Sequence, residues 1–248
     1  MRNSFFKYEQ LLRNRPRIWH PGFIIHKIIQ NEVMEFSRLI TSENSGSVLD
    51  FGCGKSPFRN YFKQYQGADV DRLNKDPDFL IDKESNRINN LANQSVDNII
   101  SIEVIEHVPN IQLFIHEASR ILKPSGYFLI VAPFVYNYHG SDDYCRYSKN
   151  YFLNNGLFKD FDIVRINSTP NDFIEFLTFN MSHFIGIFPI IRFFYPVFFL
   201  INISGIALSK IFKLFFLMAG LVSPKFTHLY KNSFLLFPLQ ISVTLRKK

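Results

Sequence analysis

Residues 96–132 carry the pattern that most restricts the fold. Val96 to Ile102 is a short apolar run. Ile111, Phe114, Ile115, Ala118, Ile121 and Leu122 follow at i, i+3, i+4, i+7, i+10 and i+11, one apolar stripe along a helix over 110–122. Lys123-Pro124-Ser125-Gly126 stops that helix, and Tyr127 to Ala132 is apolar throughout. A fully apolar strand is buried on both faces, and a crossover helix between two such strands makes them parallel. The middle of the chain therefore reads as an α/β domain.

The neighbouring segments extend the alternation. Asn31 to Ile40 has helical spacing, and Val48 to Phe51 is a short strand after the breaker Asn44-Ser45-Gly46. Gly52-Cys53-Gly54 is a turn, and Pro57 suits the start of a helix. Further strands are expected up to Val70, at Phe79-Leu80-Ile81, from Phe161 to Ile166 and from Leu239 to Leu245. About seventy residues with helical character separate the last two.

With 47% hydrophobic and 20% charged residues, the 248-residue chain is globular in composition. Collagen-like and disordered classes are excluded. Two cysteines, Cys53 and Cys145, form no disulfide framework, so a reducing cytoplasm is the expected setting. The first residues lack an apolar run of signal-peptide length. Histidines such as His20, His26, His116 and His228 lack metal-site spacing, and no metal is expected.

Charge is distributed in blocks. Residues 1–41 carry seven Lys/Arg against three Asp/Glu, 42–169 thirteen against sixteen, and 170–248 eight against two. Fifteen of the 29 Phe fall in 170–248. Basic residues scattered among aliphatic and Phe side chains suit an anionic lipid surface, whereas nucleic acid would call for a dense Lys/Arg cluster. Residues 193–209 are 17 uncharged positions, at the low limit for a spanning helix. Asn202, Ser209 and Lys213 give this stretch a narrow polar stripe, which fits a helix lying in the interface. A lid over the active site and a homodimer face are the alternatives for 183–222.

Val48-Leu49-Asp50-Phe51-Gly52-Cys53-Gly54 takes a strand into a glycine turn where a ligand can approach the backbone. A dinucleotide site would have a third glycine where Pro57 stands. Here Asp50 precedes the first glycine by two, which resembles the glycine motif of class I S-adenosylmethionine (SAM) dependent methyltransferases. The resemblance continues in order. Gly67-Ala68-Asp69-Val70 looks like the end of the second strand, with Asp69 as the ribose acid and Asp71 as its substitute. Asp82 resembles the acid that reaches the adenine amino group. Ser95 to Ile100 with Glu103-Val104-Ile105-Glu106-His107-Val108 is similar to the fourth-strand signature. Ile121-Leu122-Lys123-Pro124-Ser125-Gly126 is similar to the L-K-P-G-G turn, with Ser125 in place of the first glycine. These elements span roughly 45–135 and most resemble the small-molecule (type 11) branch.

The resemblance implies a Rossmann-like, doubly wound sheet of seven strands with the last antiparallel. It divides the chain into an N-terminal helical extension (1–45), a SAM-binding core (46–170), a hydrophobic helical insertion (171–232) and a last core strand (233–248). SAM is the implied cofactor, held by Asp50, Gly52, Cys53, Gly54, Asp69, Val70, Asp82 and Glu103, with Cys53 contributing its backbone. Residues 133–147, dense in polar and aromatic groups, are the expected pocket for a small or lipid-linked acceptor such as a glycan intermediate. If a base is needed, His139 is the first candidate, with Asp143 orienting it, and His107 is the second. The expected location is cytoplasmic, peripheral to the inner face of the membrane. A non-catalytic membrane adaptor and an NAD-dependent oxidoreductase are the rival readings.

Overall fold

The computed structural model describes residues 15–43, 46–70, 77–136, 141–169, 173–186, 195–222 and 238–248. Asp71 and His139 lie outside the described residues.

Seven strands form one sheet: β1 (Val48–Phe51), β2 (Tyr65–Asp69), β3 (Phe79–Leu80), β4 (Val96–Ile102), β5 (Leu122–Pro133), β6 (Phe161–Thr169) and β7 (Gln240–Lys247). Their order across the sheet is β3-β2-β1-β4-β5-β7-β6. The pairs from β3 to β5 are parallel, and β7 runs antiparallel between β5 and β6. This is the doubly wound sheet with an antiparallel last strand that the sequence implies.

Side-chain alternation sorts each strand between two cores. Leu49, Phe51, Ile99, Phe128, Ile130 and Val243 face one side. There they meet Phe114, Ile115, Ala118 and Ile121 of α2 (Ile111–Ile121), whose first turn is capped by Asn110 accepting from the Gln112 and Leu113 amides. Phe51 stacks on Phe114 with ring centroids 4.1 Å apart. Burying each ring contributes about 1.5–3 kcal/mol. Val48, Ile100, Ile102, Leu129 and Val131 face the other side, under Ile25, Ile29, Val33 and Phe36 of α1 (Phe23–Glu43). Residues 23–43, set apart by the sequence as an extension, thus form one layer of the core.

Two segments differ from the sequence expectation. No α-helix follows Pro57; only a single 3₁₀ turn, Arg59–Tyr61, connects β1 to β2. Its aromatic residues pack as a cluster, with Phe58 against Tyr61 and Phe62 between Phe36 and Tyr65. The paired stretch of β5 also begins earlier, at Leu122. The register jumps from Val96–Leu122 to Asn98–Tyr127, so 123–126 bulge out of the ladder.

After β5 come the short α3 (Lys149–Asn154) and β6, then α4 (Phe173–Gly186) and α5 (Tyr195–Val222), placed between β6 and β7. Asn202, in the stripe read as polar on α5, faces inward. Its side-chain amide donates to the Ile18 and His20 carbonyls and its oxygen accepts from Ser182.

Candidate active site

Strands β1, β2 and β4 end along one edge of the sheet, and a cleft of about 420 Å³ opens there, within the usual range for ligand sites. Gly52, Gly54, Asp69, Val70, Glu103 and His107 line it together. So do Lys83, Asn86, Val104, Ser141, Asp142 and Tyr144.

The floor is built by the turn after β1. Gly52 has φ +91°, a conformation side-chain-bearing residues rarely adopt, and an added Cβ would stand 2.5 Å from a Val104 methyl. Gly54, at φ +49°, donates its N–H to Asp69 Oδ2 at 2.7 Å. One carboxylate oxygen therefore ties the end of β2 to the glycine turn, and the same side chain borders the cleft. Cys53 is buried beneath the turn, where desolvation and the nearby Asp50 and Asp69 push its thiol up to about 12.

Asp50 is buried and accepts a 2.5 Å bond from the Tyr65 hydroxyl. Burial and the adjoining carboxylate push the Tyr65 phenol well above its ordinary range. Asp50 thus braces β1 against β2 rather than lining the cleft. Its Cα partner in the ladder is Gly67, which places Tyr65 diagonally across. Tyr65 was not singled out by sequence, because its role depends on that register.

Asp82 lies on the surface. Its carboxylate accepts from the Ser85 hydroxyl and amide, which lower its pKa. Among the residues that line the cleft, Lys83 and Asn86 come from this segment instead. Asn86 has a positive φ (+56°), unusual outside glycine but tolerated by Asn.

Opposite them, His107 and the 141–147 segment form a wall. Tyr144 N–H donates to the Glu106 carbonyl at 2.8 Å, fastening the segment to the turn after β4. His107 Nδ1 lies 2.9 Å from the Asp142 carbonyl. A carbonyl only accepts, so Nδ1–H is the donor in this contact. Nε2 is 3.5 Å from the buried Glu106 carboxylate. Asp143 is occupied differently: both of its oxygens accept from Arg146, whose guanidinium pKa is raised by the pairing. Asp143 supports the wall, and is not among the cleft-lining residues.

Comparison with known proteins gives the family. The model of a methyltransferase domain family matches residues 24–166, more than half of the chain. The chain belongs to this family. By that family and by its sheet topology, it is a Rossmann-like, SAM-dependent methyltransferase. No curated protein matches the chain in sequence. Among solved structures, a putative sarcosine dimethylglycine methyltransferase from Galdieria sulphuraria is similar, at 12% identity over 90% of this chain and 88% of that one, with TM-score 0.52. A SAM-dependent methyltransferase from Archaeoglobus fulgidus is 14% identical over 87% and 93%, with TM-score 0.49. The [4+2]-cyclase SpnF, at 14% identity over 86% and 80% and TM-score 0.50, shares the architecture as well. Likeness at this level concerns fold alone, since a cyclase carries it.

Proposed function

We propose that this methyltransferase acts on a hydroxyl of a small or lipid-linked acceptor, with a glycan intermediate as the favoured class. The observation that carries the reading is the single cleft that brings Asp69, the glycine turn and His107 together. The residues present fit SAM: the glycine turn borders the cleft without side chains at Gly52 and Gly54, and the Asp69 and Glu103 carboxylates line the same space. When bound, SAM supplies a methyl group already activated on a sulfonium. Asp69 and Glu103 are assigned to hold its hydroxyl and amino groups, and Val70 and Ile81 to pack its adenine.

The acceptor is assigned to the wall of Ser141, Asp142 and Tyr144. A polar edge with an exposed aromatic ring suits a sugar, which has hydroxyls at its rim and an apolar face. A hydroxyl must lose its proton as the carbon–oxygen bond forms. His107 Nε2 takes that proton, the Asp142 carbonyl holds the ring by Nδ1–H, and Glu106 stabilises the resulting imidazolium.

Calorimetric titration with S-adenosylhomocysteine tests the cofactor assignment, with NADH as control. Two hydrogen bonds to a charged carboxylate contribute about 1.5–3 kcal/mol each, so Asp69→Ala should weaken binding by about a hundredfold or more. His107→Gln should leave that affinity intact and lower turnover by about 10²–10⁴. Unchanged binding by a folded Asp69→Ala variant would refute the assignment. A folded wild-type protein that binds no S-adenosylhomocysteine would favour the adaptor.

A further inference from the structure

The α4–α5 hairpin is packed inside out. On α5 the inward residues recur every three or four positions: Phe198, Asn202, Gly205, Ser209, Phe212 and Phe216. Asn202 and Ser209, the polar groups of this seam, are 0% and 1% exposed. The seam meets Thr178 and Ser182 of α4, and the fit at Gly205 is so close that an added Cβ would stand 2.1 Å from Thr178 Oγ1. The outward surface is apolar. Leu200, Leu208, Ile211, Leu214, Leu217 and Leu221 are between 55% and 77% exposed. On α4, Phe173, Leu177, Met181 and Phe184 form a second outward apolar stripe. A water-facing helix has the opposite arrangement. Small and polar residues in the seam with aliphatic residues outside are how helices pack against one another in lipid.

We infer that this hairpin docks the protein on an anionic lipid bilayer, with α5 in the plane of the interface. The charge decides the occupant. Lys210 sits on the outward surface, and residues 173–222 carry three basic residues against one acidic one. Two copies of such a face would repel each other, whereas anionic headgroups complement it. Position decides the geometry. Pro196–Ala219 is long and apolar enough to cross a membrane, but Lys210 and Lys213 fall near the middle of α5, where a crossing helix would carry them into the hydrocarbon. Lys213 also pairs with Glu175 of α4 at 3.5 Å, fastening α5 to α4. This inference stands apart from the methyl-transfer chemistry.

The chain contains its own reporter. Trp19, its one tryptophan, is 41% exposed and sits between two residues whose carbonyls are bonded to Asn202. The full-length protein should co-float with vesicles of phosphatidylglycerol and phosphatidylcholine, and Trp19 emission should shift to the blue. Pure phosphatidylcholine vesicles, or added salt, should weaken binding several-fold. Lys210→Glu should lower partitioning by about fivefold or more. Leu214→Asp with Leu217→Asp should lower it by about tenfold or more without changing the melting temperature or S-adenosylhomocysteine binding, because both side chains are exposed. Failure of the folded protein to float would overturn the inference. A vesicle-independent dimer that Leu214→Asp dissociates would assign the face to a second copy instead.

Discussion

Substituting Gly52 with alanine probes the floor of the cleft through two separable terms. The first is backbone strain: an L-residue at φ +91° costs about 1–2 kcal/mol. The second is collision. The new methyl would lie 2.5 and 2.7 Å from the two Val104 γ-carbons, and overpacking of this kind costs about 1–3 kcal/mol. Gly52→Ala should therefore destabilise the protein by about 2–5 kcal/mol in urea denaturation. Val104→Ala removes the obstructing methyls at a cost of about 1–2 kcal/mol. In that background Gly52→Ala should cost only its backbone term, leaving a coupling of about 1 kcal/mol or more. S-adenosylhomocysteine affinity should drop in Gly52→Ala and recover in part in the double variant. Additive effects, or a Gly52→Ala cost within experimental error, would refute the claim that Val104 and the glycine turn are fitted to each other.

Other expectations concern the surroundings of the cleft. A thiol reagent at pH 8 should label the exposed Cys145 and spare Cys53, whose pKa is pushed up to about 12; both should react in denaturant. The same shift has a sign for stability. Cys53 keeps its proton in the folded state while the unfolded thiol ionises from about pH 9, so its contribution is fully present below pH 9 and fades toward pH 12, which Cys53→Ala should abolish in a pH series of urea melts. Arg120 donates to the Leu91 and Ile88 carbonyls while Glu117 accepts from the Ile88 amide, clamping the segment that supplies Lys83 and Asn86. Arg120→Met should cost about 2–4 kcal/mol and speed amide exchange over 83–94. Gly205→Ala should separate α5 from α4 and lower the melting temperature, whereas Gly156→Ala, where an added Cβ meets nothing within 4 Å, should not.

The strands were readable because burial on both faces leaves continuous apolar runs, as at Val96 to Ile102 and Tyr127 to Ala132. The amphipathic α2 was readable from its stripe. The first half of α1 was missed although Ile25, Ile28, Ile29 and Val33 continue the apolar stripe at i, i+3, i+4 and i+8; its run of β-branched side chains has low helix propensity and obscured it. Pro57 suggested the start of a helix, and tertiary packing of Phe58 and Phe62 overrode it. Within the site, Asp69 and the glycine turn were legible from order along the chain. The diagonal Tyr65–Asp50 contact, the outward turn of Asp82 onto Ser85 and the Arg146 clamp on Asp143 depend on register and on local turn geometry, which spacing does not encode. The polar stripe of α5 was visible, but which way it faced was not: the carbonyls of Ile18 and His20 that receive Asn202 are remote in sequence.

The position of β7 has a consequence for how the chain is made. It is the last strand in sequence, yet β5 and β6 reach each other only through it, as Tyr127 pairs with Arg246 and Asp162 with the same residue from the other side. During synthesis β6 and the greasy hairpin emerge with no ladder to join, and the open edge of β5 waits for a partner encoded much later. That interval is when a hairpin with an apolar exterior is most exposed to aggregation. Folding of β6 into the sheet therefore waits on completion of the chain, since its only ladder partner among the described residues is β7.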